Sequence, residues 1–230
     1  AAMEPFLGER FGNASSLHFE GRQAKEAIDE ARETLAEALD CLFGEVVFTS
    51  SGTEAVNLAI LGTALANSNP SRRRVLVGAA DHHCALHTQA LLERLGYSVE
   101  PLRVDQEARL DVALFERAIG PDVLLVSLIH GNNEVGSLDD LEPVIASAHR
   151  HGALVHIDAV QSFLTTTPWP RDADLVSVAA HKVYGPKGAG ALRVRSGVVV
   201  RPLAVGGGQE RELRAGTENV AAVVGLGAAV

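Results

Sequence analysis

Two residues in this chain have the types and the setting for covalent cofactor chemistry. Lys182 lies in the string Ala180-His181-Lys182-Val183-Tyr184-Gly185-Pro186-Lys187-Gly188, and Asp158 in Val155-His156-Ile157-Asp158-Ala159-Val160-Gln161. A lysine just past one apolar strand and an aspartate ending another are the pair that pyridoxal phosphate (PLP) requires. The amine condenses with the cofactor aldehyde, and the carboxylate keeps the pyridinium nitrogen protonated so that the ring draws in electrons. Desolvation beside a cofactor would lower the lysine pKa and sharpen its nucleophilicity. Each residue also has an ordinary explanation: a lysine before a Gly-Pro turn is common, and a strand-end aspartate is often a helix cap.

Other polar strings strengthen the pair. Ser51-Gly52-Thr53-Glu54 stands between a strand and a helix. There the helix-terminal N–H groups, a glycine allowing close approach and the Thr53 hydroxyl form a phosphate cradle; a plain helix start with Ser before Glu is the alternative. Asp81-His82-His83-Cys84 follows another strand, and an imidazole there can stack on an aromatic ring and move protons near pH 7. A buried structural histidine is the competing possibility. Zinc suits the string poorly, because there is no second cysteine pair. The amides of Asn132 and Asn133, in His130-Gly131-Asn132-Asn133-Glu134, can hydrogen-bond a phenolic oxygen or a carboxylate, or form an Asn-Gly turn. Gln161, three residues after Asp158, can reach the same ring. The loops Gly206-Gly207-Gly208-Gln209-Glu210 and Arg214-Ala215-Gly216-Thr217-Glu218-Asn219 do not fit a nucleotide P-loop, although Gly-Thr before a helix again suits a phosphate.

These residues need a scaffold that gathers strand ends. Residues 20–39 carry apolar positions at helical spacing. Residues 45–49 read as a strand and 55–66 as a helix. Strands follow at 75–78, 98–102, 123–129, 154–157, 175–179 and 190–194. Helices are expected at 83–95, 112–119 and 141–151. Strands apolar on both faces, alternating with helices, indicate an α/β fold with a mainly parallel seven-stranded sheet flanked by helices. Ligands in such sheets collect at the strand carboxyl ends, where the polar strings fall.

Bulk composition narrows the function classes. With 47% hydrophobic and 21% charged residues in 230, the chain is globular. A net charge of −9 argues against a nucleic-acid surface, and Arg72-Arg73-Arg74 reads as a solvated turn. Cys41 and Cys84 make no disulfide framework and suit a reducing compartment. No stretch approaches the roughly 18–20 apolar residues that span a bilayer, and no signal peptide is evident, so a cytoplasmic location is expected. Neither terminus reads as a domain boundary, which suggests a piece of a longer protein.

Six segments, in order, resemble the NifS/IscS-type cysteine desulfurases of the class V aminotransferase family. They are Phe11-Gly12-Asn13-Ala14-Ser15-Ser16-Leu17-His18, Phe48-Thr49-Ser50-Ser51-Gly52-Thr53-Glu54-Ala55, Asn132-Asn133-Glu134-Val135-Gly136, His156-Ile157-Asp158-Ala159-Val160-Gln161, His181-Lys182-Val183-Tyr184-Gly185-Pro186-Lys187-Gly188 and Arg214-Ala215-Gly216-Thr217-Glu218-Asn219. The resemblance implies the large domain of the PLP-dependent transferase fold type I. Residues 1–18 would be a lead-in segment and 19–230 the PLP-binding domain, with the C-terminal small domain missing. It implies Lys182 as the covalent lysine, Asp158 on the pyridine nitrogen, and His82 stacked on the ring and assisting proton transfer. Asn133 and Gln161 would bind the ring oxygen, Asn133 also lying near the substrate carboxylate. Gly52, Thr53 and His181 would hold the phosphate, and Thr217 would reach the phosphate of a neighbouring subunit in a homodimer.

The implied reaction converts L-cysteine to L-alanine and passes sulfur, as an enzyme persulfide, to an iron–sulfur scaffold or another acceptor. No metal, nucleic acid or membrane is implied. Ala179 departs from the family, which usually places a hydroxyl there on the phosphate. The family's N-terminal segment, nucleophilic cysteine and carboxylate-binding arginine have no counterpart in the chain. Cys84 reads as a packing residue beside His82. Two alternatives stand beside the desulfurase reading: another class V enzyme, such as a selenocysteine lyase or serine-family aminotransferase, and a non-catalytic remnant acting in dimerisation or partner binding. For these 230 residues alone, the expectation is weak or no turnover.

Overall fold

The computed structural model describes residues 1–166 and 170–230. Helix α1 (Phe19–Ala38) is followed by strand β1 (Val46–Thr49) and helix α2 (Gly52–Ala66). Then come β2 (Arg74–Gly78), α3 (His83–Leu86), α4 (Gln89–Arg94), β3 (Ser98–Leu102), α5 (Val112–Ala118), β4 (Val123–Ile129), α6 (Glu142–Arg150) and β5 (Leu154–Asp158). After β6 (Leu175–Ala179) and β7 (Gly190–Val194), helix α7 (Val220–Gly227) completes the order. Strand β1 starts one residue later than its sequence suggests. The buried Glu45 carboxylate accepts the Ser196 N–H and pairs with Arg193, so residue 45 closes a 3-10 turn and does not open the strand.

The seven strands form one sheet in the order β1-β7-β6-β5-β4-β2-β3. The pairings from β3 through β2, β4 and β5 to β6 are parallel, whereas β7 runs antiparallel to both β6 and β1. The sheet is therefore mixed but mostly parallel. Strand β7 reverses because the link from β6 carries only a short 3-10 turn and the Gly-Pro string. A parallel return needs a crossover, usually helical, of a dozen or more residues.

Both faces are covered, which explains the uninterrupted apolar runs. Val46 and Phe48 join a core with α1, α5, α6 and α7, while Val47 between them points into a second core under α2, α3 and α4. Strand β4, VLLVSLI, is buried throughout. Ahead of α1, Phe6 and Met3 pack into the first core.

One expected element divides. The helix predicted over 83–95 is two short helices, α3 and α4, broken at His87-Thr88. The buried Thr88 hydroxyl donates to the Ala85 carbonyl at 2.6 Å. A side chain that hydrogen-bonds local backbone in this way offers an alternative to the helical ladder.

Candidate active site

The carboxyl ends of β4, β5 and β6, with the turns after β1 and β2, surround a cavity of about 220 Å³. Gly52, Thr53, His82, Asn133, Asp158, Gln161, His181 and Lys182 all line it. Thr217 does not. It borders a separate cleft on the other side of the β1–α2 turn, with Thr49, Ser50 and Arg214.

At the head of α2, Ser51 is the N-cap and its Oγ accepts the Glu54 N–H at 3.1 Å. The helix-start explanation of this string is therefore correct, and it is compatible with a cradle. The cap serves the third N–H, while those of Gly52 and Thr53 have no carbonyl a turn earlier to pair with. They stand beside the cavity at the positive end of the helix dipole. Gly52 is needed for close approach: a Cβ there would lie 2.7 Å from Val160 Cγ2 and 3.2 Å from Ala179 Cβ. The Glu54 carboxylate accepts from Ser50 N at 2.8 Å and from Arg214 Nε at 2.9 Å, and it also accepts the Ser50 hydroxyl. Burial works against ionisation of Glu54, but Arg214 and Ser50 prevail and hold it below the ordinary glutamate value.

His82 caps α3, its Nδ1 accepting the Cys84 N–H at 3.1 Å. In the neutral ring the proton is therefore on Nε2, which remains available as a donor. The preceding Asp81 is buried, and its Oδ1 accepts the Ile129 N–H at 3.0 Å. This ties the β2–α3 turn to the end of β4. Burial first, and the nearby Asp158 second among the raising causes, push the Asp81 pKa well above the ordinary range.

Asp158 is only 4% exposed, and its Oδ1 accepts the Val160 N–H at 3.0 Å. Desolvation raises its pKa to about 6, opposed by the Val160 N–H and by the charge of His82. A carboxyl that faces a cavity with no cation bonded to it, among the described residues, suits a cationic N–H donor in that space.

The two asparagines after β4 divide the work the sequence left open between them. Asn132 Oδ1 accepts the N–H groups of Glu134 and Val135 at 2.9 and 3.1 Å, and its Nδ2 donates to Ala80 O at 3.1 Å. Asn132 therefore builds the turn, and Asn133 is left facing the cavity. Lys182 closes the 3-10 turn Ala180–Lys182. Just beyond it, Tyr184 has φ 63°, a conformation uncommon for a bulky residue and worth noting at a functional site.

From the sequence Cys84 reads as a packing residue and Ile129 and Val160 as plain apolar positions, yet all three line the cavity. Ile129 and Val160 carry no polar signal, so only the register of β4 and the turn after β5 reveal them. Burial, with a contribution from Asp158 and then Asp81, pushes the Cys84 thiol up to about 12. Burial likewise takes Cys41 to about 11. Both are thiols near neutral pH, and the thiolate is the nucleophile. Among the described residues no group of three or more His, Cys, Asp or Glu converges as a metal site, and no helix is long and apolar enough to cross a membrane.

The family model for class V aminotransferases matches residues 1–230. A cysteine desulfurase IscS of Dictyoglomus turgidum is 42% identical over 231 residues, covering 100% of this chain and 58% of the relative. The chain thus spans less than two thirds of that relative's length. Among solved structures, a NifS-like protein superposes with a TM-score of 0.94 at 35% identity, covering 99% of this chain and 63% of its own. A structure described as SspA in complex with cysteine gives 0.93 at 37% identity, over 99% of this chain and 67% of its own.

Proposed function

Because the chain belongs to the class V aminotransferase family, we propose that it is the PLP-binding part of a cysteine desulfurase, residues 19–230 forming the large domain. The observation that carries the reading is the convergence of Lys182, Asp158, His82, Gln161, Asn133 and the α2 N-terminus on one cavity. The donor set suits PLP at each end. Gly52, Thr53 and His181 offer N–H and hydroxyl donors for a phosphate, and the cation-free carboxyl of Asp158 suits a protonated ring nitrogen. Bound PLP supplies an electron sink for charge developing at the substrate α-carbon. Asp158 holds the proton on the ring nitrogen. The Nζ of Lys182 takes and returns the α-proton, and Nε2–H of His82 donates at the cavity edge. Asn133 and Gln161 orient the ring oxygen.

The substrate reading, L-cysteine, draws on the similarity to desulfurases at about 40% identity and on the cysteine-bound SspA structure. A cysteine thiolate would attack the substrate sulfur; the sulfur–sulfur bond forms as the Cβ–S bond breaks, the electron pair left on Cβ is stabilised by the electron sink that PLP supplies, and Cβ then takes a proton so that alanine leaves. The resemblance matches neither Cys41 nor Cys84 to the family nucleophile, and burial disfavours the thiolate of both, so we place the nucleophile elsewhere in the parent protein. An iron–sulfur scaffold or another sulfur acceptor receives the persulfide. We assign the protein to the cytoplasm and to a homodimer in which Thr217 serves the partner's phosphate site.

The test is borohydride reduction of the purified chain with added PLP, followed by peptide mass spectrometry. The adduct is expected on Lys182 and absent from Lys182→Ala. Labelling spread over surface lysines, unchanged in Lys182→Ala, would remove the site assignment.

A further inference from the structure

We propose that Ser127, His156 and Ser177 form a cross-strand clamp that positions Asp158 relative to Lys182, an inference that rests on the reading of the cavity given above. His156 of β5 is fully buried between its neighbours. Its Nδ1 lies 2.9 Å from Ser127 Oγ on β4, and its Nε2 lies 2.8 Å from Ser177 Oγ on β6. Three adjacent parallel strands are therefore joined by side chains as well as by their backbones.

The layering gives the clamp its role. Side chains two residues apart on a strand share a face. On the α2–α4 face, Leu125 and Leu154 are paired in an apolar layer, Ser127 and His156 come next, and Ile129 and Asp158 follow at the carboxyl ends. On β6 the register is offset: Leu175 is level with His156 and Ser177 with Asp158, so His156 reaches Ser177 diagonally, one step toward the carboxyl ends. Ile129 and Asp158 line the cavity, and Ala179 lies under Gly52 at the α2 N-terminus. Ser127 and His156 thus lie directly beneath the cavity floor, and Ser177 stands beside Asp158 on the neighbouring strand. Lys182 follows from the end of β6, so the spacing of β5 and β6 sets its distance from Asp158.

The residue types suit a clamp. Imidazole is rigid, with one nitrogen on either side, and reaches both neighbouring strands, which lie about 4.8 Å away. Burial holds the ring neutral by taking its pKa down to about 3, so no charge arises beneath Asp158. One nitrogen donates to a serine and the other accepts from the second serine, whichever tautomer is present. A buried network with all its members paired enforces one arrangement. None of the proposed chemistry uses His156, which does not line the cavity. The titratable groups that act on Asp158 are His82, Asp81 and Cys84, and they are common to all the variants below.

The test compares Ser127→Ala/Ser177→Ala, and separately His156→Leu, with Tyr97→Phe. Tyr97→Phe removes two hydrogen bonds of similar length, the one donated to Ala64 O at 2.8 Å and the one accepted from Asn67 Nδ2 at 2.9 Å, at the far end of α2. Two quantities are read: the Asp158 titration midpoint by carboxyl 13C NMR in cofactor-free protein, and the Kd for PLP. The serine double variant is expected to lower the midpoint by about half a unit or more, as loosening admits water to Asp158. It should also weaken PLP binding by about tenfold. Tyr97→Phe should lose thermal stability and move neither. A serine variant that loses stability but keeps the midpoint, and keeps Kd within about twofold, would overturn the clamp and leave an ordinary structural network. If wild-type protein takes up no PLP, the cofactor reading fails, and the NMR midpoint still decides for or against the clamp. Should His156→Leu fail to fold, the serine variant alone carries the decision.

Discussion

Replacing Asp158 by Asn should make the cofactor-free chain more stable at pH 8 while destroying its ability to hold PLP productively. Burial raises the Asp158 pKa from 3.8 to about 6 in the folded protein. Below pH 3.8 both the folded and the unfolded states carry the proton. As pH rises from 3.8 to about 6, the unfolded state releases the proton first and the folded state retains it. Stability therefore falls through this window and stays lowered above it. The gap of about two units, at about 1.4 kcal/mol per unit, amounts to roughly 3 kcal/mol. Asn keeps an oxygen for the Val160 N–H and carries no charge to desolvate, so it should recover much of that amount above pH 6. Urea unfolding of wild type and Asp158→Asn, each without PLP, at pH 4, 6 and 8 measures it. Asp81, raised by burial and further by Asp158, contributes a slope of the same sign to both proteins and a smaller one in the variant, so the difference between the two curves measures Asp158 together with its coupling to Asp81. That difference should open between pH 4 and 6 and then level off. Equal stabilities at pH 8, or a variant less stable there by more than about 1 kcal/mol, would refute the claim that an uncompensated carboxylate is stored in the cavity.

Gly52→Ala should cost about 1–3 kcal/mol through overpacking, because its Cβ would lie 2.7 Å from Val160 Cγ2. It should also weaken PLP binding, and Val160→Ala in the same chain should restore part of both in a double-mutant cycle of stability and Kd. Ala179→Ser, which adds a hydroxyl under the α2 N-terminus, is expected to tighten PLP binding about fivefold through a net hydrogen bond of about 1 kcal/mol; equilibrium dialysis measures it. Arg32 and Glu210 form a buried two-pronged ion pair at 2.8 and 2.7 Å. Removing either alone should cost about 3–5 kcal/mol, and replacing both by apolar residues of similar size much less, as chemical denaturation will show. Cys41 and Cys84 should react with a thiol reagent at pH 8 at least about a hundredfold more slowly than free cysteine. Both are half-buried, so rapid modification of either in folded protein would contradict the upward shift of its thiol pKa.

Periodicity and punctuation made most of the framework readable along the chain. Apolar runs closed by Ser-Gly-Thr, His-Gly-Asn, Asp-Ala and Ala-His-Lys mark strand ends directly, because burial on both faces forces apolar residues until the strand leaves the sheet. Lys182, Asp158, His82 and Gly52 were visible for that reason: each stands where a local pattern changes. Long-range pairing left no such mark. The pairing of β7 with the distant β1 follows from which edge its hydrogen bonds find, and the bond between Arg32 and Glu210 joins residues 178 positions apart. The separate duties of Asn132 and Asn133 depend on which amide the Ala80 carbonyl reaches, and Cys84 lines the cavity from the first turn of α3, which His82 caps. Thr217 carried the same Gly-Thr pattern as Gly52-Thr53 yet lies in another cleft, since a short motif fixes a local turn and not the place to which distant packing carries it. The polar cluster around the base of Asp158 is likewise hidden. Ser127, His156 and Ser177 sit in three separate strings, and only the pairing of β4, β5 and β6 brings their side chains within hydrogen-bond reach.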